Sequence, residues 1–280
     1  MKSIGVAAGV LMCVVLLGAA GFAGGESRAK RAALIGDLDR GTGVLWVIGA
    51  YVSDRGWLSS KDASGLMHKG DEVAVLRLTA GRIGTAKLTN NGTLDSDFSQ
   101  GLWYRSEPIE GDELGVALWH SRGSPAPKWV RVREFSTGNT VYRKVISEWL
   151  KGKGVAGKTA ESVVVEQVVQ ADINGDKRDE VFLSFRTPNT PGFDWVTKPT
   201  EDTFSYLLMR YLPRGSRQAK TVIIEEFPSV VHRVTALCDL DNGGWAEVAT
   251  SSSGVDVWGS ALHHWTGGRF RRVGSWGGGC

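Results

Sequence analysis

The stretch that decides the fold reads ADINGDKRDEV at residues 171–181, and a second copy reads CDLDNGGWAEV at residues 238–248. Both copies begin with an aspartate, Asp172 or Asp239, and both end on Glu-Val. A run of apolar and β-branched residues precedes each copy, and another follows it. Self-similarity at a fixed period is the signature of a repeat architecture, so the unit around these loops is expected to organise the fold.

Short runs of β-branched and aromatic residues, separated by Gly, Asp, Asn and Pro, make up most of the chain, and helical periodicity is scarce. This pattern is typical of strands joined by turns, and the 37 glycines suit turns that need a positive φ. Around the first loop the predicted strands are 162–171, one that begins at residue 180, 203–212 and 220–227. Around the second loop they are 230–238, one that begins at residue 247, 260–265 and 269–276.

Two earlier segments repeat the same rhythm. A weaker copy of the loop begins at Asp37, with predicted strands at 44–52, 72–79 and 82–88. The next segment has no acidic loop, and its predicted strands are 101–106, 114–121, 128–135 and 140–149.

Four units of about residues 30–90, 95–150, 160–228 and 229–280 therefore account for nearly the whole chain after its first two dozen residues. A four-stranded unit repeated around an axis is a propeller blade, and the 11 tryptophans suit packing between twisted sheets. We expect an all-β, β-propeller-like domain over residues 24–280, with about four four-stranded blades. A β-sandwich, or two small stacked sheets, is the alternative.

The acidic loops place oxygen-bearing side chains at alternate positions, which is how a protein surrounds a hard cation such as calcium. The backbone carbonyl at position seven is expected to add a further ligand. Asx-type turns that bond only their own backbone are the alternative. The predicted ligands, numbered from each first aspartate, are Asp172, Asn174, Asp176, Arg178 (carbonyl) and Glu180, then Asp239, Asp241, Trp245 (carbonyl) and Glu247.

The three loops are not equivalent as calcium sites. The Asp172 loop keeps every side-chain ligand, whereas the second loop has Gly243 in place of the carboxylate at position five. Around Asp37, Gly41 and Leu45 stand where the two later ligands would be. We therefore rank the Asp172 loop first, the Asp239 loop second and the Asp37 loop third.

These loops resemble the FG-GAP or VCBS-type repeat of bacterial and integrin-like β-propellers. The resemblance covers residues 162–280, is weak around Asp37, and is limited to the rhythm of strands in residues 101–149. It implies a propeller in which the loop joins the first two strands of a blade and holds calcium. Lys177 departs from the family, which prefers glycine there: either the turn is strained, or position six is less demanding in this chain.

The first 23 residues have the layout of a secretory signal peptide: Lys2, an uncharged apolar run over residues 4–22, and small residues before the charged stretch 26–31. An uncleaved membrane anchor is the alternative. We expect a secreted or periplasmic protein with no membrane span in its mature chain. The 33 basic and 30 acidic side chains form no dense basic stripe, which argues against nucleic acid as a partner.

Two cysteines, Cys238 and Cys280, lie outside the predicted signal peptide. In an oxidising compartment an even pair favours a disulfide, here between the C-terminal tail and the strand before the second acidic loop. Two free thiols, one of them buried, are the alternative.

No stretch of the sequence assembles a catalytic site. The adjacent residues His263 and His264 would point to opposite faces of a strand, and the serines at 251–253 lack the Gly-x-Ser-x-Gly turn of hydrolases. We therefore expect a non-catalytic, calcium-stabilised binding or adhesion module with an unknown protein or glycan ligand. A secreted hydrolase or lyase with a site at the centre of the propeller is the alternative. The proline-rich segment 187–200, with Trp195, is the first place to look for a ligand contact.

Overall fold

The computed structural model describes residues 31–95, 101–110, 114–188, 203–227, 230–254 and 257–279. The predicted signal peptide, and the predicted contact loop from residue 189 onward, lie outside these ranges. The strands of the described residues pair antiparallel in three sheets, as the all-β prediction requires. In those same ranges no helix is both long and apolar enough to cross a membrane.

The first sheet contains eight strands in the order β5-β4-β8-β1-β2-β7-β6, with β3 also paired to β2. Because β8 lies between β4 and β1, the first two predicted units share one sheet, and the prediction of two separate four-stranded blades there is wrong. Its strands are β1 (Ala32–Asp39), β2 (Val44–Val52), β3 (Gly56–Ser59), β4 (Glu72–Arg77), β5 (Gly81–Lys87), β6 (Thr93–Leu94), β7 (Leu102–Arg105) and β8 (Leu114–His120).

The second and third sheets are four-stranded meanders in chain order, as predicted for the last two units, and each gains one short edge strand. The predicted strand 128–135 is divided between them, because its first part pairs with Cys238 and its last part with Val168–Gln170. The second sheet holds β10 (Arg133–Phe135), β11 (Val164–Ala171), β12 (Glu180–Arg186), β13 (Ser205–Tyr211) and β14 (Lys220–Glu226). The third holds β9 (Lys128–Trp129), β15 (Val231–Asp239), β16 (Glu247–Ser253), β17 (Val257–Trp265) and β18 (Phe270–Gly279).

The predicted strand 140–149 is instead a helix, α1 (Thr140–Gly152), followed by the short α2 (Gly157–Glu161). Its β-branched residues favoured a strand in the sequence, but Ile146 and Leu150 are four residues apart and both fully buried on the second sheet. That spacing places them on one helical face. The Asn139 side chain accepts a hydrogen bond from Val141 N (3.0 Å) and caps the first turn.

The third sheet is the middle layer of the molecule. One face packs on the first sheet, where Ile35 and Ile48 meet Ala249 and Leu262. The other face packs on the second sheet, where Phe182 and Leu207 are in one core cluster with the third-sheet residues Val248 and Trp265. The first contact is close at the backbone: a Cβ on Gly274 would lie 2.5 Å from the Ile48 carbonyl oxygen. Glycine is therefore required where β18 crosses β2.

The Cys238 thiol is free and fully buried between the first and third sheets. This contradicts the predicted disulfide to Cys280, a residue outside the described ranges. The reason is register: Cys238 pairs with Glu247 at one end of the third sheet, whereas Gly279 pairs with Val257 at the other end.

One buried side chain joins the second sheet to the third. The pairing of β15 with β16 shifts between Val234 and Ala236, and Gln167 of β11 bonds the backbone at this bulge. Its side-chain amide donates to the Val234 carbonyl (3.1 Å) and accepts from the Val234 N–H (2.8 Å). Gln167 is 7 % exposed, so both backbone groups depend on it.

We expect Gln167→Leu to lower the free energy of unfolding by about 2–4 kcal/mol, because it strands a buried donor and a buried acceptor. Urea denaturation followed by circular dichroism measures this. Gln218→Leu, at an exposed position, is the matched control and should change stability by less than about 0.5 kcal/mol. Equal effects at both positions would contradict the assigned role.

Candidate functional site

The two acidic loops join the first two strands of the second and third sheets, β11 to β12 and β15 to β16. They share a hydrogen-bond network. The N–H at position six donates to the carboxylate at position one, from Lys177 to Asp172 (2.8 Å) and from Gly244 to Asp239 (3.3 Å). The sequence repeat is therefore a conformational repeat.

A second bond of the network also matches. The N–H at position five donates to the side-chain oxygen at position three, from Asp176 to Asn174 (2.9 Å) and from Gly243 to Asp241 (2.7 Å). Positions four and six have positive φ in both loops: Gly175 (72°) and Lys177 (68°), then Asn242 (59°) and Gly244 (86°). Lys177 thus occupies a left-handed conformation that favours glycine, which agrees with a strained turn.

A buried glutamate closes each loop at position nine. Glu180 accepts from Ile173 N (3.0 Å) and Glu247 accepts from Leu240 N (2.8 Å), and the two residues are only 1 % and 0 % exposed. Burial raises the pKa of each carboxyl to about 7, and neighbouring aspartates add to the effect. Each loop therefore concentrates negative charge where water does not compensate it.

The loops also touch each other, because Ala246 N donates to the Ile173 carbonyl (2.7 Å). Trp245, whose carbonyl was a predicted ligand, stacks its ring on Trp265 at 4.8 Å. Arg178, its counterpart, is exposed, and its N–H donates to Asp176 Oδ1 (2.9 Å). The predicted ligands of the two loops are thus held along the junction of the second and third sheets.

His264 of β17 joins the second loop from outside it. Its Nδ1 is 2.9 Å from Glu247 Oε1 and 4.0 Å from Asp241 Oδ2. In the part of the chain that the structure describes, Asp241, Glu247 and His264 are the one group of three or more His, Cys, Asp or Glu residues with ligand atoms all within 4.8 Å of one another, so the carboxylates of Asp172, Asp176 and Glu180 do not converge as closely. Asp239, 5 % exposed, keeps a buried Oδ1 with no hydrogen-bond partner.

The sequence predicts that His263 and His264 face opposite ways, as neighbours in a strand do. They do: His263 faces the second sheet, where Nε2 lies 2.9 Å from Glu225, and His264 contacts Trp57 of the first sheet. Each histidine nevertheless contacts a different carboxylate, His263 that of Glu225 and His264 that of Glu247. The sequence signal that could have identified His264 is its place in the strand after the one that begins with Glu247 and Val248, because consecutive strands of a meander pair.

The third acidic loop, predicted to begin at Asp37, does not form there. Asp37 lies inside β1, and the turn is held by Asp39, whose Oδ1 accepts from Gly41 N (3.0 Å) and Thr42 N (3.1 Å). Asp37 instead accepts from Trp276 Nε1 (2.9 Å), and burial raises the pKa of its carboxyl to about 6.

A cleft of about 700 Å³ lies where the three sheets meet. Asp37 and Trp276 are in its wall, Trp258 is 47 % exposed at its side, and Glu166 pairs with Arg186 (2.7 Å) and Arg233 (3.1 Å). A second cavity of about 460 Å³ shares Trp258 and contains His232 and Ser252, which are 2.9 Å apart (Nδ1 to Oγ). Both hollows fall within the range of volumes that small-molecule ligand pockets have.

No protein-family model, curated protein or solved structure matches this chain. The likeness of its loops to FG-GAP or VCBS-type repeats stays a prediction from the sequence.

We expect Lys177→Gly to raise the free energy of unfolding by about 0.5–1 kcal/mol, because glycine adopts a φ of 68° without the Cβ penalty. Thermal and urea unfolding measure it. Gly244→Lys, the reciprocal change at the equivalent position, should lower stability. If Lys177→Ala stabilises as much as Lys177→Gly, backbone strain is not the cause.

In metal-free buffer, Glu180 should make stability fall as pH rises from about 4.5 to about 7. The unfolded carboxyl loses its proton near its ordinary pKa of 4.5, whereas the folded one keeps it until about 7, so the native state binds more protons in this window. The measurement is the difference in unfolding free energy between the wild type and Glu180→Gln across that range.

Glu148→Gln, an exposed change on α1, is the control and should follow the wild-type pH curve. A difference between wild type and Glu180→Gln that does not vary with pH would contradict the raised pKa.

Proposed function

We propose that this protein is an exported, non-catalytic binding module, built from FG-GAP or VCBS-like repeats in a propeller-like arrangement and stabilised by divalent cations in its acidic loops. The observation that carries the proposal is the recurrence of one network around a buried glutamate in two loops that meet at a sheet junction. Burying two carboxylates in adjacent loops is costly unless a cation or a donor compensates them.

The chemistry of the donors fits calcium in the Asp172 loop, and because its three carboxylates do not all lie within 4.8 Å of one another, binding would have to draw them together. Asp172, Asp176 and Glu180 supply carboxylate oxygens, and Asn174 offers an amide oxygen, which is the donor set that calcium prefers. The repulsion of Asp172 and Asp176 helps to raise the pKa of Glu180, so a bound cation would relieve it. When bound, the ion would lock the β11–β12 turn and the loop contact from Ala246.

The propeller-like arrangement is supported by the two meanders, each of which has the strand order of a four-stranded blade. The third sheet lies between the other two, and in the second and third sheets the acidic loop connects the first and second strands of a meander. The cleft at the meeting point of the sheets corresponds to the centre of such an arrangement.

We propose a glycan as the ligand of this cleft. The exposed Trp258 offers an apolar face, and the Glu166–Arg186–Arg233 charges and the serines at 251–253 offer donors and acceptors for hydroxyl groups. Aromatic surface combined with a few placed polar groups is suited to a ligand that has both kinds of surface.

Calcium should stabilise the full-length chain, and isothermal titration with millimolar calcium should detect binding that Asp172→Ala abolishes. Asp179→Ala is the matched control, because Asp179 lies in the same loop but pairs with Arg133 instead of facing the predicted site. It should bind calcium as the wild type does. Absence of calcium binding by the wild type, or equal loss in both variants, would contradict the site.

A glycan array identifies the ligand, and Trp258→Ala should weaken its binding at least tenfold. Val141→Ala, on the exposed side of α1 (64 % exposed), controls for the loss of an exposed apolar side chain. An array without any hit, or hits unchanged in Trp258→Ala, would contradict a glycan in the cleft.

One observation favours the alternative of a hydrolase with a central site: the cleft contains Asp37, a buried carboxyl whose pKa is raised to about 6, and such a group suits general acid catalysis. A screen for glycoside hydrolysis by the wild type and Asp37→Asn separates the two functions. Turnover that Asp37→Asn abolishes would replace the binding module with an enzyme.

A further inference from the structure

The two acidic loops differ in one ligand type. The second loop is completed by the His264 nitrogen, which comes from β17 and not from the loop itself. In the second sheet the equivalent residue is Tyr211, because Val181 pairs with Arg210 where Val248 pairs with His263. The first loop therefore has oxygen donors only, and the second has a nitrogen donor among its carboxylates.

Ligand type separates the metals that these loops suit. Calcium binds oxygen, whereas imidazole nitrogen suits zinc, cobalt, nickel and copper. Zinc with two carboxylate oxygens and one imidazole nitrogen is an ordinary ligand set, and ligand atoms of a tetrahedral site stand about 3.3 Å apart. The distances from His264 Nδ1, 2.9 Å to Glu247 and 4.0 Å to Asp241, bracket that separation.

The arrangement is held in place by groups outside it. The His264 ring lies against Trp57 of the first sheet (5.1 Å between centroids), Glu247 is fixed by Leu240 N, and Asp241 by Gly243 N. Such supporting contacts orient metal ligands. The Asp239 Oδ1, buried and without a hydrogen-bond partner, adds an uncompensated carboxylate oxygen close to Asp241.

We propose that Asp241, Glu247 and His264 form a site for a transition divalent cation, with zinc as its best representative, and that its metal class differs from that of the Asp172 loop. This proposal depends on the proposed function only because both treat the second loop as a cation-binding loop. A metal here would connect the β15–β16 turn to β17, so that it would hold three strands together instead of two. The site is reachable, since the His264 side chain is 23 % exposed.

The competing arrangement is an ion pair between protonated His264 and Glu247 with no metal. The two arrangements respond oppositely to acid and to metal. An ion pair needs the proton on His264, whereas a metal displaces it.

Cobalt(II) added to the metal-free, full-length chain reports the site through its visible absorption, and zinc should displace it. His264→Gln should lower the affinity for zinc at least tenfold and abolish the cobalt band, as should the milder Asp241→Asn. His120→Gln, at an exposed histidine, controls for adventitious binding. Thermal unfolding confirms that each variant is folded.

Asp172→Ala keeps this inference separate from the calcium site. It should remove calcium binding and leave the cobalt band unchanged, while His264→Gln should do the reverse. No cobalt band in the wild type, or an equal band in His264→Gln, would overturn the transition-metal site whether or not calcium binds. A wild type that shows the cobalt band but binds no calcium would overturn only the proposed calcium site in the Asp172 loop.

Discussion

The structure depends on one repeated interaction, in which a buried glutamate accepts the N–H at position two of an acidic loop. Glu180 and Glu247 play this part in adjacent sheets, and each fixes the turn from which a meander grows. A carboxylate that water cannot reach is unfavourable unless something compensates it. The backbone N–H compensates the buried charge in part. The pKa of both carboxyls is nevertheless raised, so this compensation is incomplete.

This constraint connects the loops to the packing of the sheets. The loops touch through Ala246 and Ile173, and below them Trp265, Val248 and Phe182 share one apolar cluster. Gln167 adds a polar link at the β15 bulge. A cation in either loop would therefore stiffen the junction between the second and third sheets, and with it the wall of the cleft, as the proposed function requires.

The sequence was informative where local pattern decides structure. It predicted both meanders and the opposite orientation of His263 and His264, since alternation and repeats act over neighbouring residues. It failed where long-range pairing decides: β8 enters the first sheet between β4 and β1, α1 replaces a strand because Ile146 and Leu150 find a sheet to cover, and Cys238 lies far from the C-terminal strand end. His264 joined the second loop only through the pairing of β16 with β17.

The most direct test of the account is anomalous X-ray diffraction from crystals of the full-length chain grown with calcium and zinc. We predict an anomalous peak at each loop, with calcium among Asp172, Asn174, Asp176 and Glu180 and zinc beside His264. Data on either side of the zinc absorption edge distinguish the two ions. Two metal-free loops that keep the same hydrogen bonds would contradict it, and would leave Asx-type turns as the whole role of the repeat.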